Sequence, residues 1–376
     1  MCWFTPTRPG CLSHWASSTS ACSPCCPMPT EDVHQILLNR TLRTAATTAL
    51  ALVLAYALDL PLPYLAPLLG LIFSLQPGPP PGLRGSLMLL AIITLTTSLG
   101  LVLGPLLHAW PVTVLAIIFA GLMASAWLSN LKGRMLPGLL SAIGMTLVTV
   151  AAYNSQALGQ SLVTGLVVGA LFGLAALHVA NLLFPVHAIP PAENAGADEP
   201  APVLPTALPL RSALTVFPVL LLALVNPGLF MGGLIKATNL SWQGSLRPTL
   251  EAGHSLLQAT LLGGLLSILL WTALKLMPNL WMFGLSMLLL VLAGASRLYG
   301  LVHSRYDALF WQDVLVTTLI LLGPAVQDSS QGKDVTEAFI IRLTLFLLIV
   351  VYAGLMARLY DRLLDRRPTT TEPAVT

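Results

Sequence analysis

The most constraining feature of this chain is a set of long apolar runs. Leu87–Leu107 carries no charged residue, and Leu256–Leu276 carries one, Lys275. A helix that crosses a bilayer needs roughly 20 mostly apolar residues. Only 9% of the 376 residues are charged and 56% are hydrophobic, whereas a soluble domain carries about 25% charged residues, so most of the outer surface must face lipid. In hydrocarbon, helices and closed barrels alone satisfy the backbone, and barrel strands alternate apolar with polar residues. These runs do not alternate. The expected fold class is all-α, a polytopic transmembrane helical bundle of twelve helices in two six-helix repeats.

Breakers divide the chain accordingly. An N-terminal segment, 1–40, contains all five cysteines within its first 26 residues. Residues 1–27 differ in composition from everything after them, and we expect translation to begin at Met28. The single Cys22-Ser23-Pro24-Cys25 spacing has no second ligand pair and is a weak metal or redox signal. The first transmembrane repeat is expected over 41–184, a polar, Pro-rich cytoplasmic linker over 185–208, the second repeat over 209–364, and a cytoplasmic tail over 365–376. Duplication is suggested by Leu42-Arg43-Thr44-Ala45 against Leu210-Arg211-Ser212-Ala213, and by Gly82-Leu83-Arg84 against Ser245-Leu246-Arg247, at offsets of 168 and 163 residues. Twelve crossings from a cytoplasmic N-terminus leave only Lys275, Lys333 and Arg342 outside, as the positive-inside rule requires.

Several chemistries have no support. A P-loop, an H-E-x-x-H and a G-x-S-x-G are absent, so no cofactor, no metal site and no enzymatic activity is expected. Basic residues are scattered at helix ends, which gives no support to nucleic-acid binding. His303 and Asp307, four apart, are expected to be ordinary loop polarity.

Function is better sought in the second helix of each repeat. Leu62–Gln76 and Pro227–Leu240 are both too short for a 30 Å core, and short or broken helices at matching places in two repeats mark binding sites in several transporter folds. Tyr64, Gln76, Pro77, Asn226 and Lys236 are therefore candidate substrate-binding residues. For Lys236 the competing expectation is snorkelling to the cytoplasmic headgroups. Ionisable groups within a membrane segment are costly and often functional, which makes Asp313 the first candidate for proton coupling and Asp59 the second. Gly100 with Gly104, and Gly165 with Gly169 and Gly173, repeat at four-residue spacing and are expected to pack neighbouring helices closely, with a homo-oligomer contact as the alternative. His178 and Asn181 share one helix face and are expected to form interhelical hydrogen bonds.

From Arg43 to Arg84 the order of motifs resembles a known pattern. Leu42-Arg43-Thr44-Ala45 opens an Ala/Leu-rich helix, Asp59-Leu60-Pro61-Leu62-Pro63-Tyr64 follows, then Ser74-Leu75-Gln76-Pro77, then Arg84 before the next helix. This is similar to the fusaric acid resistance and aromatic acid exporter superfamily, in a compact branch with only the linker between the halves. The resemblance implies a bacterial inner-membrane protein that exports small, often aromatic, carboxylic acids under the proton gradient. It also implies a periplasmic adaptor and an outer-membrane channel as partners. Two other functions are carried beside the exporter: a non-transporting subunit that anchors an adaptor complex, and an enzyme acting on a lipid-linked substrate.

Overall fold

The computed structural model describes residues 30–76, 78–131, 135–186, 207–243, 249–330 and 335–365. The cysteines, Met28, most of the linker and all but the first residue of the tail lie outside them. The described residues form twelve α-helices and no strand: α1 (Thr30–Ala57), α2 (Leu65–Ser74), α3 (Leu83–Ala109), α4 (Pro111–Leu131), α5 (Met135–Asn154), α6 (Gln156–Leu183), α7 (Ala207–Val225), α8 (Pro227–Gln243), α9 (Thr249–Leu276), α10 (Leu280–Leu298), α11 (Ala308–Ser330) and α12 (Val335–Asp365). Eight of them, α3 to α6 and α9 to α12, are long and apolar enough to cross a membrane. The protein is a polytopic helical membrane bundle.

Local chemistry places the boundaries. Pro111 and Pro227 occupy the first position of α4 and α8, where a missing N–H costs nothing. The end of α1 turns through Asp59 at φ 48°, a left-handed conformation that aspartate tolerates. Gly300, at φ 79°, turns the chain one residue beyond the C-cap of α10. Outward faces are apolar, with Leu95, Leu265, Leu285 and Leu289 all more than half exposed.

The two halves share one packing scheme. In the first half α3 packs on α5, α2 on both α1 and α6, and α4 on α5; in the second α9 packs on α11, α8 on both α7 and α12, and α10 on α11. Contacts between halves also come in matched pairs, α1–α10 with α4–α7, and α2–α11 with α5–α8. An exchange of α1–α6 with α7–α12 therefore preserves most of these helix pairings.

The short α2 has ten residues, about 15 Å of helix, yet the segment around it runs the full way between the ends of the bundle. Tyr64 lines a cavity with Asp328 and Arg342 at one end, while Gly78 lies against Arg43 at the other. Non-helical chain at both ends of α2 makes up the length, and neighbouring helices cover it.

Candidate functional site

Where the halves meet, a cavity of about 400 Å³ opens at the end that carries the α1–α2, α5–α6, α7–α8 and α11–α12 connections. Its wall takes Leu62, Tyr64 and Leu68 from the α2 segment, Leu158, Ser161 and Leu162 from α6, and Pro227, Gly228, Met231, Gly232 and Ile235 from α8. Ile320, Pro324, Gln327 and Asp328 of α11 and Arg342 and Phe346 of α12 close it. Small residues make the room. Any Cβ at Gly323 would run into the ring of Tyr64, and one at Gly232 would stand 3.2 Å from Phe346. Pro324 supplies no N–H to the carbonyl of Ile320 on the same wall.

The cavity is mostly apolar with a few polar groups, the usual character of a small-molecule site. Arg342 and Asp328 form an ion pair of 2.7 Å between their side chains. Nη1 of Arg342 is buried with no hydrogen-bond partner among the described residues.

The α11 face that lines the cavity continues inward at helical spacing from Ile320 to Thr317 and Asp313. On α8 the corresponding face passes through Gly232 and Ile235 to Lys236. Here Lys236 Nζ donates to Asp313 Oδ1 at 2.6 Å, to Asp313 Oδ2 at 2.7 Å and to Thr317 Oγ1 at 2.6 Å. The Thr317 hydroxyl donates in turn to the Asp313 carbonyl at 2.6 Å. Lys236 and Asp313 are both fully buried. A buried pair of this kind adds little net stability, because desolvation offsets attraction, but loss of one partner strands the other.

The sequence candidates separate on this geometry. Tyr64 is on the cavity wall. Lys236 does not snorkel to a headgroup, because Asp313 and Thr317 hold it in the interior. Asn226 is exposed and caps α8, its Oδ1 accepting from Leu229 N at 3.4 Å. Gln76 is at the opposite end of the bundle, in a second cavity of about 180 Å³, and so cannot share a ligand with Tyr64. Pro77 lies outside the described residues. Asp59 is exposed in the α1–α2 connection. Gly165, Gly169 and Gly173 form the groove that receives α2, and a Cβ at Gly173 would stand 2.9 Å from Gly70 N. Gly100 and Gly104 face α5 at Met145, Val148 and Ala152. His178 Nε2 lies 3.2 Å from Ser86 Oγ, and His303 and Asp307 are exposed loop residues. No group of three metal-ligating side chains occurs among the described residues.

Two cavity residues, Asp328 and Arg342, are not among the sequence candidates. The available signal was the rarity of Arg342, one of three basic residues expected on the outer side.

Fold and site together define a helical membrane protein with a largely apolar cavity between two matched six-helix halves and a buried ion pair beneath it. A family profile described as a protein of unknown function (DUF2955) matches residues 40–180. That segment covers the first half from within α1 to near the end of α6. No curated protein and no solved structure matches the chain. The profile attaches no activity, so the likeness to aromatic acid exporters rests on the motifs between Arg43 and Arg84 alone.

Proposed function

We propose that this protein is a secondary exporter of small organic acids, aromatic carboxylic acids among them, in a bacterial inner membrane with both termini cytoplasmic. The observation that carries this reading is the 400 Å³ cavity between the halves, with Arg342 on its wall. Its volume suits a single-ring acid, its apolar wall suits the ring, and the guanidinium suits the carboxylate. Substrate would sit against Tyr64, Gly232 and Phe346. Asp313 is the candidate proton carrier: a proton there breaks the pair with Lys236 and changes the charge beneath the cavity by one. In this reading the protein is a carrier and not an enzyme, and a periplasmic adaptor would take up the released acid.

The test is accumulation of labelled aromatic and aliphatic acids in cells with and without the protein, with a protonophore control. An acid that accumulates less when the protein is present, with the difference abolished by the protonophore, is the expected result. Asp313→Asn should remove the proton-driven part while the protein still reaches the membrane. If no acid responds although the protein is in the membrane, the exporter reading fails and a membrane subunit that anchors the adaptor replaces it.

A further inference from the structure

Lys236 and Arg43 are fully buried and Arg342 is partly buried, and these three cations are treated differently. Lys236 has Asp313, and Arg342 has Asp328. Arg43, only 1% exposed, has no carboxylate partner among the described residues. Its Nη1 donates to two neutral acceptors, the Gly78 carbonyl at 3.0 Å and Asn181 Oδ1 at 3.5 Å. Its Nε is buried with no hydrogen-bond partner among the described residues. A guanidinium taken out of water and met only by neutral dipoles is poorly compensated. One turn away Arg40, whose Nε is also buried and has no hydrogen-bond partner among the described residues, lies 4.9 Å over the Tyr299 ring.

Beside Arg43 is the second cavity, about 180 Å³, walled by Phe73, Gln76, Gly78, Pro79, Leu89 and others. It is several times the volume of one water. Its lining includes the Arg43 side chain and Gln76, with no acidic side chain.

We propose that this cavity is a phosphate-binding site, in which the Arg43 guanidinium holds two oxygens of a phosphate group and Gln76 donates to a third. The planar fork of arginine matches such an oxyanion in a bidentate way, and the anion supplies the charge that Arg43 lacks. The phosphate is either free in solution or the headgroup of an anionic lipid at this face. The site is at the opposite end of the bundle from the large cavity and does not rest on the transport reading.

The test uses the full chain, delipidated in a neutral detergent. Inorganic phosphate is titrated while thermal unfolding is followed, and the protein is then compared in nanodiscs of phosphatidylcholine with and without phosphatidylglycerol. At about a hundred times Kd, phosphate should raise Tm by about 5 °C or more. Arg43→Gln should abolish the rise without lowering the Tm measured in the absence of anion, because it removes an uncompensated charge. Arg43→Lys keeps the charge, guards against a folding failure, and should bind roughly tenfold more weakly for loss of the fork. A rise with phosphate in detergent marks a site for the free anion; a rise with phosphatidylglycerol alone marks a lipid headgroup site. If neither raises Tm, or if both variants respond as the wild type does, the site does not exist and Arg43 merely ties the α2–α3 turn to α1 and α6.

Discussion

The two halves keep the same packing scheme with opposite choices of side chain. In the first half α6 is the smooth partner: Gly165, Gly169 and Gly173 open a groove, and α2 lies in it so closely that Gly173 meets the backbone of Gly70. In the second half the small residues move to the shorter helix. Gly232 and Gly233 of α8 receive Phe346 and Ile349 of α12. Backbone-on-backbone contact leaves no room for a polar pair, whereas a helix seated on long side chains has space beside them. The same contrast holds deeper in the bundle. Gly263 of α9 approaches the Val314 carbonyl and Thr317 of α11, as Gly100 of α3 approaches the Met145 carbonyl and Val148 of α5. The residue before Val314 is Asp313, while the residue before Met145 is Gly144. The second half carries the Lys236–Asp313 and Arg342–Asp328 pairs, while the fully buried cation of the first half, Arg43, meets only neutral groups among the described residues.

The largest test of this contrast is at Lys236. Lys236→Met leaves Asp313 buried and alone, and should lower stability by about 3–5 kcal/mol. The double variant Lys236→Met with Asp313→Leu should recover most of that loss. Denaturation of the purified variants in detergent reports both values. If the single and double variants are equally unstable, packing of the lysine stem matters and its charge does not.

Glycine substitutions probe the other side of the comparison. Gly173→Ala drives a methyl to 2.9 Å from Gly70 N, and backbone has no rotamer with which to yield. A loss of roughly 1–3 kcal/mol is expected. Gly232→Ala meets the far end of Phe346 at 3.2 Å, which a small ring movement relieves, so its cost should stay below about 1 kcal/mol. Equal costs at the two positions would mean that the halves are packed alike. At the cavity, Arg342→Gln should raise the apparent KM for an exported acid about tenfold, equivalent to about 1.4 kcal/mol of binding, with little change in maximal rate. A fall in maximal rate alone would move Arg342 from binding to gating.

Much of this plan is legible in the chain, because lipid makes composition decisive: runs such as Leu87–Leu107 leave no alternative to helices. Glycine spacing also shows where helices approach, since period four puts Gly165, Gly169 and Gly173 on one face. Pairing between distant charges is not legible. Lys236 and Asp313 are 77 residues apart, and no local pattern says that α8 and α11 will face each other. Gln76 fails as a partner of Tyr64 for a simpler reason. Both flank the same short helix, but α2 with its extended ends carries them to opposite ends of the bundle. Sequence proximity resembles spatial proximity only when the intervening segment does not run from one end of the bundle to the other.

The two matched contacts between the halves share an aromatic pair but differ in one addition. At α4–α7 the contact is apolar, with Phe119 and Phe217 edge to face at 5.4 Å. At α1–α10 an aromatic pair, Tyr56 and Phe283 edge to face at 5.3 Å, is joined by a polar contact: Thr44 Oγ1 lies 3.0 Å from the Tyr299 hydroxyl. With the single Thr44 proton given to the Arg40 carbonyl at 3.0 Å, Tyr299 donates to Thr44. Tyr299→Phe therefore strands no donor and leaves only one threonine lone pair unfilled, while the ring under Arg40 is kept. The loss should be about 0.5–1 kcal/mol, the smallest of these effects. Phe119→Leu, which removes an aromatic pair and part of a buried ring, should cost more, about 1–2 kcal/mol. Unfolding of the two variants side by side decides the point. If Tyr299→Phe proves the more damaging, the polar contact holds the halves together and the aromatic one merely fills space.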